Sequence, residues 1–345
     1  MNNGFSIINS IGENLTTKEY ITNPAIAREN EIKKLMIVLL TPEKSGLLVG
    51  KPGIGKTAIV EGLAYLIQKN MVPEVLKGYQ IIKVNSSSLM NKVTINGNEN
   101  LIINKLIEEL KNMNKVILFI DEIHTLVSSN NESPIDIANI LKPCLDRGDI
   151  KAIGATTNIE YETYVVRDRA FLRRFDRIDI TEPDEPTTVK ILYESLPKLE
   201  KKTGIKFKYN SYIVTMLLES IVSATSEYKR IYGLSAMYPD VSLSVLSQAF
   251  SLALVENRNS VTILDVYNAI KISKRIYPDS IIKELEAFRE KFAKYCTEEG
   301  IILQAVTIND IDTNSEIGWL FEKIYWYFIN LHNYNTRCFL YVIII

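Results

Sequence analysis

The spacing of apolar and polar positions divides the chain into two regimes. Residues 29–40 read as an amphipathic helix, and Gly46 to Val49 is a short apolar run that stops in a glycine-rich turn. From Lys56 to Asn70 the residues Ile59, Leu63, Leu66 and Ile67 recur at helical spacing, so a helix opens directly out of that turn. Further strands are predicted over 80–84, 116–120, 151–155 and 177–180, with helices between them at about 98–111 and 133–145. Residues 116–120 are apolar at every position, the pattern of a central parallel strand covered on both faces. Five strands alternating with helices predict an α/β fold with a doubly wound, five-stranded parallel sheet.

After Pro183 and Pro186 the pattern changes to helices alone, at 187–202, 209–224, 240–256 and 263–275, the last behind a cap at Thr262. A charged helical stretch, a short apolar run at 301–306 and an aromatic segment at 319–331 follow. The chain therefore divides into an N-terminal linker (1–22), a large α/β unit (23–185), a small helical lid (186–275) and a mainly helical C-terminal extension (276–345). The aromatic character of that extension (Trp319, Phe321, Tyr325, Trp326, Tyr327, Phe328) predicts packing on the lid or a docking surface for a partner.

Composition narrows the function classes. The chain has 345 residues, of which 46% are hydrophobic and 23% charged, which excludes disorder and a collagen-like repeat. Forty basic residues face forty-one acidic ones, so no global field draws the protein onto nucleic acid or anionic lipid. Cys144, Cys296 and Cys338 show no metal-site spacing and fit a reducing compartment. The N-terminus lacks a secretory pattern, and the apolar stretch 338–345 falls far short of the roughly 20 residues a spanning helix needs. A cytoplasmic protein without a membrane segment is the expectation.

Two motifs carry chemistry. Gly50-Lys-Pro52-Gly53-Ile54-Gly55-Lys56-Thr57 satisfies G-x-x-x-x-G-K-[ST] and stands between a predicted strand and a predicted helix. Gly50, Gly53 and Gly55 let the backbone wrap so that successive N–H groups face phosphate oxygens, and the helix N-terminus adds partial positive charge. Lys56 would bridge the β- and γ-phosphates of ATP and Thr57 would give its hydroxyl to Mg²⁺, with Pro52, Ile54 and Ala58 completing the binding segment. Downstream, Asp121 and Glu122 end the apolar run 116–120. At that strand end Asp121 would join the Mg²⁺ shell and Glu122 would polarise the attacking water.

With both motifs in place, the chain resembles the AAA+ ATPases, and within them the first nucleotide-binding domain of the Clp-type unfoldases and disaggregases. The resemblance covers about residues 7–274 and rests on Asn23-Pro-Ala-Ile-Ala-Arg28, the phrase Val49 to Leu63, Phe119-Ile-Asp-Glu-Ile-His-Thr125, Ile140-Leu-Lys-Pro143 and Gly154-Ala-Thr-Thr157. It implies that Pro24, Ile26 and Ala27 line an adenine pocket and that Thr157 reads the γ-phosphate. It also implies that Arg173 and Arg174 enter the ATP site of a neighbouring subunit in a ring, six-membered in the family, that remodels protein clients. The same alignment puts Val93, Thr94 and Ile95 on the substrate loop, with Ile95 where an aromatic residue usually stands. Val241 occupies the place of a lid lysine, so no basic lid sensor is assigned. The length further suggests a single-ring relative without the N-terminal, middle and second ATPase domains. Two other readings remain: an initiator or helicase loader acting on nucleic acid, and a slow nucleotide-dependent scaffold. The Val93-Thr-Ile-Asn96 loop offers no basic residue for the first, and the intact acids Asp121 and Glu122 argue against a dead site.

Overall fold

A computed structural model describes residues 7–89, 92–95, 98–127, 137–146, 150–231 and 237–311. The aromatic segment 319–331 and Cys338 lie outside the described residues. Ten strands are described: β1 (Gly12–Asn14), β2 (Ser45–Val49), β3 (Gln80–Asn85), β4 (Lys92–Ile95), β5 (Asn98–Leu101), β6 (Val116–Asp121), β7 (Lys151–Thr156), β8 (Phe175–Asp179), β9 (Lys206–Phe207) and β10 (Ser260–Val261). Six of them form the central sheet in the order β1-β3-β6-β7-β2-β8. The five strands from β3 to β8 in that order are parallel, as the alternating pattern predicts.

Period-two alternation within each strand feeds two hydrophobic layers. Leu47, Val49, Leu118 and Ile120 point to one face, where Ile103, Leu106 and Leu110 of the helix Ile102–Asn112 cover them. Leu48, Ile117, Phe119 and Ile153 point to the other, under Ile59, Val60 and Leu63 of the helix Lys56–Gln68. Burying each such side chain contributes about 1.5–3 kcal/mol relative to exposure. The all-apolar strands are therefore explained by cover on both sides rather than by strand propensity.

The structure differs from the sequence expectation in four places. Residues 12–14, inside the predicted linker, form the antiparallel edge strand β1 against β3. The short helix before it, Ile7–Ile11, is tied down by Glu109, whose carboxylate accepts from the amides of Ile7 and Ile8 at 2.7 and 3.1 Å. Second, the helix predicted from residue 98 begins at Ile102, because 98–101 instead pair with 92–95 in an antiparallel hairpin, with Ile95 opposite Asn98. The dipeptide between them in the sequence is Asn-Gly, the strongest short-range hairpin signal, and it outweighs the helical periodicity. Third, the last predicted lid helix ends at Lys271 rather than 275. Fourth, the break expected at 275 is not a break in packing. Pro278 starts the helix Pro278–Glu299, and its Leu285, Phe288 and Phe292 are buried in the same core as Leu217, Val245 and Val266 of the lid. Proline at the first helical turn is favourable, since its missing N–H has no intrahelical partner there.

The lid itself follows its predicted helices: Glu185–Thr203, Ser211–Ala224, Asp240–Val255 and Ile263–Lys271. Asp184 and Asn210 cap the first two, accepting from Thr187 N and Ile213 N. Thr262 caps the last in a reciprocal capping box with Asp265, as its position in the sequence predicts. Among the described residues, no helix is long and apolar enough to cross a membrane.

One glycine controls how closely the N-terminal segment approaches the helix Lys56–Gln68. Gly62 lies within the helix Lys56–Gln68, and a Cβ there would come 2.2 Å from the Cβ of Ala25. In an open helix, alanine would gain about 1 kcal/mol over glycine. Here the overlap dominates, so Gly62→Ala lowers stability by about 1–3 kcal/mol, the usual cost of overpacking. Urea unfolding of both proteins measures this, and an unchanged or higher midpoint would show that the 23–27 segment yields freely.

Candidate functional site

The site is built at the carboxyl ends of the parallel strands. At the exit of β2, Ile180 N donates to Val49 O at 2.8 Å and Gly50 N donates to Thr156 O at 3.3 Å, so the loop starts from a fixed point between β7 and β8. Gly53 (φ 74°) and Gly55 (φ 99°) then turn the chain through left-handed backbone, where a side chain would be strained. Gly55 is also the residue from which the helix Lys56–Gln68 springs. Lys56 folds back over its own loop, donating to Gly50 O at 2.7 Å and Lys51 O at 3.1 Å. Burial lowers its pKa below the ordinary lysine range, with Asp121 and Glu160 opposing the shift.

Asp121 ends β6, two strands away from β2 with β7 between them. Its Oδ2 accepts from the Thr57 hydroxyl at 3.0 Å, and Lys83 Nζ on β3 stands 3.6 Å from the same oxygen. Glu122 follows in left-handed backbone (φ 55°) and is exposed. A non-glycine residue in that region costs of order 1–3 kcal/mol, a kind of strain that clusters at functional sites. Its carbonyl accepts from Thr125 N and from the Thr125 hydroxyl, which hold the turn.

The third wall comes from the end of β7. Thr157 caps the helix Asn158–Thr163, its Oγ1 accepting from Glu160 N at 3.2 Å while Glu160 Oε2 accepts from Thr157 N at 2.9 Å. The same Glu160 oxygen accepts from the Thr156 hydroxyl at 3.2 Å and lies 3.1 Å from His124 Nδ1. His124 also contacts Thr156 Oγ1 at 3.2 Å and stacks on Tyr164 with ring centroids 6.1 Å apart. His124 is thus a packing and hydrogen-bonding residue. Burial pushes the Glu160 pKa up, but the hydrogen bonds from Thr157 and Thr156 and the neighbouring His124 outweigh it and hold the carboxyl below its ordinary range.

These three walls enclose a cavity of about 420 Å³, lined by the loop from Pro52 to Thr57, by Asp121 and Glu122, and by Thr156, Thr157 and Glu160. The phosphate-loop motif and the strand-end acids therefore meet in one place, as their sequence contexts predict. Gly50 is reached through its carbonyl rather than as a lining residue. Pro24, Ile26, Ala27 and Ala58 do not line this cavity, although Ala25 packs beside it on the helix Lys56–Gln68. Arg173 and Arg174 lie elsewhere, between the helix Arg169–Leu172 and β8, where their carbonyls accept from Lys44 Nζ and Ser45 N. Val93, Thr94 and Ile95 form β4 of the hairpin, with Thr94 opposite Glu99. Sequence reasoning missed Lys83, Thr156 and Glu160. Lys83 carries no local signal, but Thr156 stands inside the phrase Gly154 to Thr157, and Thr157-x-x-Glu160 is a capping-box pattern readable from the sequence.

A divalent cation fits this donor set. Thr57 Oγ1 and Asp121 Oδ2 are hard oxygen ligands 3.0 Å apart, close to the roughly 2.9 Å between neighbouring oxygens of an octahedron with magnesium bond lengths of 2.0–2.1 Å. Among the described residues, no cluster of His, Cys, Asp and Glu suggests another metal site.

Residues 46–182 match the AAA family, ATPases associated with various cellular activities. The chain carries an AAA domain. It is 32% identical over 307 residues to the chaperone protein ClpB of Porphyromonas gingivalis, covering 87% of this chain and 33% of that protein. It is 34% identical over 254 residues to a ClpA homolog, an ATP-binding subunit of the Clp protease, from Guillardia theta, covering 72% of this chain and 30% of the relative. The chain thus spans about a third of the length of these relatives. Among solved structures it resembles a closed-state Hsp104 with ATPγS and casein, with a TM-score of 0.65 and 27% identity over 86% of this chain and 54% of that one. Nucleotide binding follows from that domain.

The lowered Glu160 pKa fixes a sign for pH dependence. A carboxylate held below its unfolded value stabilises the fold above that value and loses the contribution as pH falls through the folded one. The stability difference between wild type and Glu160→Gln is therefore full at neutral pH and shrinks below about pH 4, near the model-peptide glutamate value. Thermal melts from pH 3 to 7 test this, and a difference that grew on acidification would reverse the assignment.

Proposed function

We propose that this chain hydrolyses ATP in the cavity between its phosphate loop and Asp121, and that it uses the reaction to remodel protein clients in a ring. The observation that carries the reading is the cavity itself, where Lys56, Thr57, Asp121, Glu122 and Thr157 converge although the sequence holds them as much as 101 residues apart. The N–H groups of Gly53 to Thr57 and the Lys56 ammonium bind phosphate oxygens, and Thr57 and Asp121 hold Mg²⁺. When bound, that ion neutralises charge on the β- and γ-phosphates.

Glu122 accepts a proton from the lytic water as its oxygen bonds to the γ-phosphorus and the bond to the β-γ bridging oxygen breaks, giving ADP and phosphate. Glu122 is exposed, so its carboxylate is open to water, and among the described residues no hydrogen bond or ion pair engages it. Thr157 keeps a hydroxyl proton to donate, because its cap interaction uses the oxygen as acceptor. Pro24, Ile26 and Ala27 supply the adenine contacts, by likeness to the Clp family. Arg173 and Arg174, away from their own chain's cavity, supply charge to the neighbour's site, and by likeness to the Clp family the ring has six members. The hairpin carrying Val93, Thr94 and Ile95 is the client-contacting loop. Casein, present in the Hsp104 structure, is the model client. A cytoplasmic setting, with Cys144 and Cys296 kept as buried free thiols, belongs to the same reading.

Steady-state turnover on purified variants tests each part. Glu122→Gln retains ATP binding and loses about 10²–10⁴ in turnover, the range for a general base. Replacing Arg173 and Arg174 with alanine costs about 10³–10⁵. Mixing these two inactive proteins restores hydrolysis, since the glutamine subunit lends its arginines to a site with an intact Glu122. Failure of the mixture to recover would remove the shared site. Stimulation by single-stranded DNA in place of casein would move the protein to the nucleic-acid class.

A further inference from the structure

A buried arginine outside the cavity ties the phosphate loop to the crossing between sheet and lid. Arg28 is 6% exposed and precedes the helix Glu29–Leu40. Its Nη2 donates to Ile54 O of the phosphate loop at 3.0 Å. Its Nη1 donates to Thr181 O at 3.1 Å and to Glu31 Oε1 at 2.7 Å. One planar guanidinium therefore joins the loop, the exit from β8 and its own helix, with donor directions fixed by the fork.

The crossing is held from its other side as well. Glu182 follows Thr181 directly, and its Oε1 accepts from Arg230 Nη1 at 2.6 Å and from Tyr238 N at 2.7 Å, both on the lid. The lid then returns to the loop: a Cβ at Gly53 would come 2.8 Å from the Cβ of Asp240, which opens the helix Asp240–Val255 and pairs with Arg275 at 2.8 Å. The chain of contacts runs from Ile54 through Arg28 to Thr181, through Glu182 to Tyr238, and from Asp240 back to Gly53.

We propose that Arg28 is a positioning residue that links occupancy of the phosphate loop to the orientation of the helical lid. The inference rests on nucleotide binding in the loop and is independent of the client. A phosphate drawn into the cradle moves the loop peptide that carries the Ile54 carbonyl. A guanidinium pinned to Glu31 cannot follow one carbonyl without pulling on the other, so the shift is delivered at Thr181. Because the charge is buried, releasing either carbonyl leaves a donor unpaired at a cost that favours concerted movement. Lysine, with a single ammonium, can keep Glu31 but cannot span both carbonyls.

Hydrogen exchange on the full chain, with and without saturating ATPγS, reads the link. In wild type, nucleotide slows exchange of the amides at 181–184 and 237–242 within the roughly 5–150-fold range of coupled sites. In Arg28→Lys the nucleotide still binds, followed by fluorescence of a labelled ATP, and the slowing at 237–242 falls to less than about twofold. Coupling is reciprocal, so Glu182→Gln, which weakens the lid-side clasp, lowers ATPγS affinity by the factor that it removes from the exchange effect. If Arg28→Lys lowers the thermal midpoint but keeps the wild-type exchange difference, Arg28 is a structural ion pair and the proposal fails. If wild type hydrolyses ATP without any nucleotide-dependent change at 237–242, the proposal fails while the ATPase reading stands.

Discussion

The hydroxyl of Thr57 meets the carboxylate of Asp121 across the end of a strand that carries neither of them, and the rest of the site follows from that bridge. Thr57 belongs to the helix after β2 and Asp121 to the end of β6, while β7 runs between. The register places Val49 beside Thr156 and Ile120 beside Gly154, so β7 reaches the cavity floor between the two motifs. Thr156, Thr157 and Glu160 become the third wall through that order alone. Open parallel sheets bind ligands at the carboxyl ends of their strands for this reason: neighbouring loops diverge there and leave a crevice. A register slip of one residue in β7 would turn its side chains to the opposite faces and break the network around Glu160.

Charge is concentrated around the same bridge, and one strained residue stands beside it. Asp121 Oδ2 faces the Thr57 hydroxyl and the Lys83 ammonium, and Asp121 also supports the charge of Lys56 against burial. Left-handed backbone occurs at Gly53, Gly55 and Glu122, all of which line the cavity. Two of these are glycines, where the conformation carries no steric penalty, and one is the proposed base, where it does. Such strain persists only where the surroundings over-determine the backbone. Around Glu122 they do so with Ile123 fully buried on one side and the Thr125 hydrogen bonds on the other.

What could be read in the sequence divides along physical lines. The phosphate loop was legible because its chemistry demands particular residue types at fixed spacing, and β6 because cover on both faces requires an unbroken apolar run. β1 was not, since Gly-Glu-Asn carries no hydrophobic signal and is a strand only because the edge of β3 offers it hydrogen-bonding groups. The hairpin of β4 and β5 was lost to a helical window that reached too far upstream of Ile102, although its Asn-Gly was in plain view. The boundary at 275 followed the end of the lid helices, since nothing local says that Leu285, Phe288 and Phe292 of the next helix pack into the same core. Arg28 appears in a motif phrase, but nothing local says that two remote carbonyls, at positions 54 and 181, converge on it. Buried charges are where sequence reasoning is weakest, because their meaning lies in partners distant along the chain.

The extension of the lid core changes how the two halves can work together. Phe288 and Phe292 of the helix Pro278–Glu299 are as buried as Leu217 and Val266 of the lid, and Leu303, Val306 and Ile311 continue the same cluster. A close-packed core of this kind resists internal deformation and tends to move as one unit. The sheet half has its own two cores, and the two halves meet at the connection 181–184, at Asp240 beside Gly53, and through Thr22 with Glu194 and Glu19 with Lys201. A shift passed on from the phosphate loop would therefore meet the helical unit as one body, through the hydrogen bonds of Arg28 and Glu182 at the connection.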